Sequence, residues 1–543
     1  MRTPLCATAP LASPATLSDW RARGWLTDGR LGGLLDDAAG ARPDACALVD
    51  AAGDPWTFAQ LRDRSHAIAH QLLAAGVQRG DVVSFALPNA MTTVAVAAAI
   101  WRIGAVANPV VTVYRAHELS FIFAQLDPAV VITARDVRGR DLCAEVDDAL
   151  ERAGVAPTRL VVGEPPPGWS ALADTTAVPA PGLDDVEPGA ASDPCLVLYT
   201  SGTTADPKGV LHTPAGLLHE VATMQREWDL TSGDTMLMAS PLTHITGLLQ
   251  GLLVPCLVGA RAVLMDRWDP DLCVAAIDRE QVTYMAGATP FLRGIVDACV
   301  RRPAGAPPLS LRQYCCGGAA VPPDLVREAD ALGIAAYRCW GMTELPTATL
   351  ANARDPLELR ATTDGRVADG VEVEAVDADR HPLPPGAEGE LRLRGPERMV
   401  GYVDASLNAA ALDADGWLYS GDLGTVDDYG VVRITGRLKD VINRGGEKVP
   451  VAEIEQLLYE HPAVAEVAIV AMADERLGEQ VCAVLVARDG VEVDDASVRD
   501  FLHEQRVAVQ KLPARIEWVA ELPRTASGKV RKHELGESLT AHA

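Results

Sequence analysis

Positive charge is scarce in this 543-residue chain: 48 Lys and Arg stand against 74 Asp and Glu, a net charge of −26. Nonspecific binding to nucleic acid or to an anionic membrane surface needs basic patches, so this balance argues against both. The 11 cysteines carry neither a metal-ligand spacing nor a disulfide framework. The adjacent Cys315-Cys316 pair is poorly placed to chelate, and all the cysteines read as reduced thiols of a cytoplasmic enzyme. The first twenty residues lack a basic start followed by a sustained apolar run, which argues against a signal peptide. The longest weakly charged stretch, 247–264, is interrupted by Gln250, Pro255, three glycines and Arg261. That pattern predicts a buried helix followed by a core strand, not a membrane span. Repeats and low-complexity segments are also missing. What is present is apolar material, 48% of the residues, ample for the cores of about two to four compact units.

The pattern along the chain is mixed α/β. Thr57 with Gln60 three residues on predicts a capping box, followed by Leu61, Ile68, Leu72 and Ala75 at helical spacing and closed by Gly76. Apolar strand-like runs recur at 82–86, 129–133, 195–200, 262–265 and 282–286, and their alternation with helices predicts largely parallel sheets. Residues 1–25 have no clear period and predict a loosely packed extension; 163–193, rich in Pro, Gly, Asp and Ala, predicts a loop or linker. From Gly370 short strands between turns predict a β-rich subdomain. After Gly436 a helix at 451–459, strands at 464–472 and 480–486, and a helix opened by Asp494 or Asp495 predict a compact α+β domain. The expected division is a large N-terminal domain over 1–435, a hinge at 436–440 and a small domain over 441–543.

The run 199–213 reads Tyr-Thr-Ser-Gly-Thr-Thr-Ala-Asp-Pro-Lys-Gly-Val-Leu-His-Thr and follows an apolar strand. Hydroxyls and backbone N–H groups donate to phosphate oxygens, glycines admit close backbone approach, and Lys208 adds a point charge. The ligand class is a polyphosphate, ATP above all. It is not a Walker loop, which needs glycine before its lysine; here Pro207 stands there. The order Ser201-Gly202-Thr203-Thr204, two residues, then Pro207-Lys208-Gly209 instead resembles the phosphate loop of the adenylate-forming superfamily, which contains acyl-CoA synthetases, peptide-synthetase adenylation domains and luciferases. Ala205 departs from the glycine common at that position.

Five further segments resemble the same superfamily, so the likeness spans roughly 30–535. In 337–344, Tyr-Arg-Cys-Trp-Gly-Met-Thr-Glu, the resemblance implies that Trp340 stacks on adenine where tyrosine is usual. Gly341 and Met342 then border the nucleotide, Thr343 donates to the α-phosphate, and Glu344, with Thr200, ligates Mg²⁺. Gly317-Gly318-Ala319 matches the segment along which adenine lies. In 419–424 Asp422 takes the ribose diol; alone, it would read as an Asx-turn residue. In 436–449 Arg437 matches the ribose arginine and Lys439 the hinge, also readable as a solvated linker. Gly445, Gly446 and Glu447 match the turn facing a pantetheine tunnel. In 522–532 Lys529 matches the lysine that reaches the carboxylate and the α-phosphate. His244 falls beside the acid pocket with Gly287 and Ala288, although a lone histidine in an apolar segment is more often a hydrogen-bonded core residue.

The resemblance implies an α/β adenylating fold with a small, mobile α+β C-terminal domain, taking ATP, Mg²⁺, coenzyme A and a small carboxylic acid. The acid attacks the α-phosphorus, pyrophosphate leaves, and a thiol then displaces AMP. An acid:CoA ligase of the medium-chain, alicyclic or aryl type is the leading expectation. The others are a stand-alone adenylation enzyme loading a carrier protein, a diazotase using nitrite and an arylamine or an amide-forming relative, a nucleotide-binding regulator with a degraded site, and light emission. Because the chain ends soon after Lys529, no carrier-protein module is expected to follow. A homodimer is admitted; a nucleic-acid partner and a membrane span are not.

Overall fold

The computed structural model describes residues 5–536 except 51–54, 174–182, 184–185, 187–188, 201–206, 304, 319–320, 445–446, 450, 475–476, 489, 492–493, 506, 526–528 and 533. Side chains at 443, 447, 448 and 478 also lie outside it.

Two large sheets carry most of the chain. In one, Arg261–Leu264, Thr235–Met238, Tyr284–Gly287, Gln313–Cys316 and Ala335–Met342 run parallel, each registered on the next. In the other, Leu196–Thr200, Val106–Pro109, Val82–Ala86, Val130–Ala134 and Thr158–Val162 run parallel, with Lys208–His212 antiparallel at the edge. The strand Val82–Ala86 is buried at every position, as expected when helices cover both faces of a parallel sheet. The helix Phe58–Ala74 begins with the capping box: the Gln60 N–H donates to Thr57 Oγ1 and the Thr57 N–H to Gln60 Oε1.

The stretch 247–264 forms a buried helix and then a core strand. Ile245–Leu248 passes through a π-helical turn, Leu249–Leu253, into Val254–Val258; Gly259 at φ +70° ends it before Arg261–Leu264. Gln250 on the π turn accepts from the Tyr284 hydroxyl at 2.6 Å.

Four antiparallel strands, Glu372–Val376, Gly389–Arg394, Leu418–Val426 and Val432–Arg437, make a third sheet. The last sheet pairs Val464–Asp474 with Gly478–Ala487, flanked by Ile442–Arg444 with Glu447–Val449 and by Arg515–Trp518. The helix Asp495–Glu504 beside it is capped by Asp494. Among the described residues no helix is long and apolar enough to cross a membrane.

One expectation is corrected. The N-terminal segment is packed, not loose. Ser13 caps the helix Pro14–Ala22, which opens on Pro14 and buries Trp20. Thr8 N and Ala9 N donate to the Val400 carbonyl, and the Arg398 guanidinium donates to the Pro10 and Leu11 carbonyls. These partners lie nearly 400 positions away, so no local period announces them.

Candidate active site

The hairpin Leu196–Thr200/Lys208–His212 carries the two ends of the run expected to hold phosphate. Thr200 registers on Lys208, so both anchors of the phosphate loop are fixed; Ser201, Gly202, Thr203 and Thr204 lie outside the described residues. A side chain at Gly209 would put its Cβ 2.8 Å from Val403 and 3.0 Å from the Tyr199 ring, so glycine there is set by close approach. The Lys208 Nζ lies 5.4 Å from the centre of the Tyr402 ring.

Tyr402 also donates to Glu344 Oε1 at 2.8 Å, and the Met399 N–H donates to the Glu344 carbonyl at 2.7 Å. Glu344 is buried, yet the only one of its carboxylate oxygens with a described hydrogen bond is the one that Tyr402 holds. A hard carboxylate oxygen therefore remains for a cation, which fits a Mg²⁺ ligand. Thr343 is held from behind by His212, whose Nε2 lies 2.7 Å from the Thr343 carbonyl. Burial pushes the His212 imidazole down to about 4, against the pull of the Thr343 and Glu397 carbonyls. It is neutral near pH 7 and donates through Nε2.

The two residues expected at the ribose stand on neighbouring strands. Asp422 registers on Arg437, and the Arg437 Nε lies 2.7 Å from Asp422 Oδ1. That pair is close but poorly aligned, and Oδ1 is buried without a hydrogen bond. An acceptor left open there suits a diol. The other oxygen, Oδ2, accepts from the Trp340 indole N–H at 2.8 Å. Tryptophan in the usual tyrosine position thus carries a donor to the Asp422 carboxylate. Asp422 lies within the strand Leu418–Val426, not in a turn.

Gly317 and Gly318 leave the strand Gln313–Cys316; Ala319 lies outside the described residues. A Cβ at Gly317 would lie 2.7 Å from Cys339 Sγ, and one at Gly341 would lie 2.0 Å from the Pro346 carbonyl oxygen. Both glycines are demanded by packing. Met342 ends the same strand, beyond a register shift between Trp340 and Met342. Gly287 neighbours this segment, since the Gly317 N–H donates to its carbonyl. Its missing side chain is replaced by Phe291 and Tyr314, 2.7 and 2.8 Å from where a Cβ would sit, and Ala288 is buried beside it.

Lys529 comes from far along the chain into this cluster. Its Cε lies 3.7 Å from the Cβ position of Gly318. Burial first, and Arg437 second, hold its ammonium below the ordinary lysine value, while Asp422 and Glu344 pull it back up. The Lys529 carbonyl accepts from the Thr525 N–H and its own N–H donates to Thr525 Oγ1, which fixes the turn. His244, at the start of Ile245–Leu248, is driven down to about 4 by desolvation and by Lys529. A neutral imidazole lines the site but is no cation.

Sequence position alone links Lys439, on the turn Leu438–Asp440, to this centre. Gly445 and Gly446 lie outside the described residues, as does the Glu447 side chain. His212 and Tyr402 were missed in the sequence. His212 closes the phosphate-loop run, which was its one signal; Tyr402 lies in no motif recognised above.

The AMP-binding enzyme family matches residues 35–403, and the AMP-binding enzyme C-terminal domain matches residues 453–529. A medium-chain fatty-acid–CoA ligase of Escherichia coli is 35% identical over 96% of this chain and 92% of its own. An indoleacetate–CoA ligase of Aromatoleum aromaticum is 34% identical over 92% of this chain and 96% of its own. The crystal structure of ATP-bound MatB from Rhodopseudomonas palustris superposes with a TM-score of 0.83 at 28% identity, over 95% of this chain and 99% of that one. The chain belongs to the AMP-binding enzyme family, the adenylate-forming superfamily, and is an acyl-CoA synthetase of its α/β fold with a small C-terminal domain.

Proposed function

We infer that this ATP-dependent acid:CoA ligase activates an apolar carboxylic acid of medium-chain or aryl type, using Lys529, Glu344, Asp422 and Arg437 as its central groups. The observation that carries the reading is the convergence of Lys529 with Gly318, Asp422, Glu344 and His244. Two relatives are named for a medium-chain fatty acid and for indoleacetate, which supports the acid class. The Phe291 ring, which packs on Gly287 and lies 4.6 Å from the Trp268 ring, is consistent with it.

In the first step a carboxylate oxygen attacks the α-phosphorus of ATP, the acyl–O–P bond forms and pyrophosphate leaves. Two anions meet, so the step needs positive charge and oriented donors more than a base. Lys529 bridges the carboxylate and the α-phosphate; Thr343 donates to that phosphate; Lys208 and the hydroxyls of 200–204 hold the outgoing pyrophosphate. Asp422 accepts from the ribose hydroxyls, with Arg437 and Trp340 fixing its carboxylate. Glu344 is the group that would hold Mg²⁺, with Thr200 near the phosphates; the ion would supply charge neutralisation. His244, neutral, excludes water from the acid and does not move a proton. In the second step the CoA sulfur attacks the acyl carbon and AMP leaves.

The test is ATP–pyrophosphate exchange across short, medium, alicyclic and aryl acids, repeated with CoA, on the wild type and Lys529→Ala. The expected outcome is exchange with medium-chain or aryl acids and a CoA thioester. Lys529→Ala is expected to lose about 10²–10³ in exchange, as for removal of one key donor, while still thioesterifying supplied acyl-AMP. Equal loss in both half-reactions removes the assigned role of Lys529. Exchange confined to short acids removes the acid class.

A further inference from the structure

Arg338 is a buried cation with no side-chain hydrogen bond among the described residues and only a loose ion pair, to Asp364. Its side chain is 10% exposed, and its Nε is buried without a hydrogen bond. The nearest carboxylate, Asp364 Oδ1, is 3.9 Å from the terminal NH1, too far for a hydrogen bond. The other Asp364 oxygen is committed to the Ile434 N–H at 2.8 Å. A guanidinium stays charged, and burying it without a hydrogen-bonded partner is among the costlier arrangements in a protein. Such a group persists where a ligand completes it.

Its position names the ligand's end. Arg338 registers on Cys316, immediately before Gly317-Gly318. It stands two residues before Trp340 on the same strand and so on the same face. Trp340 reaches Asp422, the ribose carboxylate of the proposed function. Lys529, at the α-phosphate, interacts with Asp422 and Arg437, whereas Arg338 faces Asp364 and Cys316. Along that strand face the charged side chain neighbouring Trp340 is Arg338, which in the placement of the proposed function puts it on the base side of the ribose.

We propose that the Arg338 guanidinium reads the purine edge of the nucleotide and lets this enzyme use 6-oxopurine triphosphates beside ATP. The inference rests on the nucleotide placement in the proposed function. A guanidinium is a donor-only fork. It pairs bidentately with the O6 and N7 acceptors of a 6-oxopurine. Against adenine it meets N7 alone, and the 6-amino group faces it donor to donor. A 6-oxopurine therefore relieves the buried cation more fully than adenine does.

The test is equilibrium titration of ATP and of inosine triphosphate into the acid-free protein by calorimetry, which needs no turnover, alongside pyrophosphate exchange with each. Wild type is expected to bind the two within about tenfold of each other, the scale of one bidentate base contact. Arg338→Gln is expected to lower the inosine-to-adenosine affinity ratio by tenfold or more, with the exchange effect in KM and not in kcat. Arg338→Lys, which keeps the charge but loses the fork, moves the ratio the same way. Wild type that binds inosine triphosphate a thousandfold more weakly than ATP overturns the proposal. So does an unchanged ratio in both variants, which is what a purely structural arginine gives. Failure of exchange with every acid, with nucleotide binding as expected, counts against the ligase reading and leaves the base contact standing.

Discussion

His212 reaches the candidate site through the hydrogen bond from Nε2 to the carbonyl of Thr343, the residue before Glu344. Its imidazole is pushed to about 4 from an ordinary value near 6.5, and His244 is pushed equally far. Between those limits the unfolded chain binds more protons than the folded one, so stability rises with pH. It is lost as pH falls from 6.5 toward 4. The melting temperature is therefore expected to drop between pH 7 and pH 5, and His212→Asn, whose amide keeps a donor, to flatten that drop. Parallel pH curves for wild type and variant would show that His212 does not titrate across this window. Legibility at this scale was uneven. Lys208, Glu344, Asp422 and Lys529 were readable as candidates because each sits in a short run of fixed order. The Trp340 bond to Asp422 and the isolation of Arg338 were not readable, because each depends on a neighbour brought in by folding.

Among the elements, the strand Ala335–Met342 holds the most of the site: Arg338, Trp340 and Gly341 within four consecutive positions. Its antiparallel partner Leu345–Leu350 follows after a two-residue connection, with the register shifted between Trp340 and Met342. That tight return brings the Pro346 carbonyl 2.0 Å from where a Gly341 Cβ would lie. The obstacle is backbone, which cannot swing away as a side chain can. Gly341→Ala is expected to destabilise by about 1–3 kcal/mol, the range for overpacking, and to weaken ATP binding by displacing Trp340 from Asp422. Thermal melting with nucleotide titration checks it; an unchanged melt would mean that the turn can open at little cost. The strands and their parallel order were legible from apolar runs, and the Thr57 cap from its spacing. The N-terminal arm was not, since Thr8 and Ala9 bond to Val400 and no repeat marks either side. The placement of Asp422 in a strand was missed because its flanking glycines imitate a turn.

At the scale of the whole molecule, the ion pairs of the last hundred residues are largely internal to that part. Lys532 bonds Glu455 at 2.7 Å and approaches Asp440 at 3.7 Å, and Arg524 bonds Glu466 at 2.8 Å. These pairs tie the small part to itself, whereas Lys529 reaches outward to the groups around Gly318. That placement fits the proposed role of the lysine in the first half-reaction. The proposed second half-reaction needs the lysine withdrawn and room for a thiol, and rotation of the small part about the segment at Lys439 is the proposed way to supply both. That residue lies on the 3₁₀ turn Leu438–Asp440, a conformation whose usual φ, about −50 to −70°, proline also adopts. Lys439→Pro is therefore expected to hold φ near that value and to oppose any conformation that rotates φ away from it. Pyrophosphate exchange is expected to persist within about threefold, the scatter of a change worth under 1 kcal/mol. CoA-dependent thioester formation is expected to fall by at least tenfold, with Lys439→Ala, which removes the same side chain without locking φ, retaining both. Equal loss of the two half-reactions in the proline variant would mean that the turn serves the nucleotide site directly and that no rotation about it separates the steps.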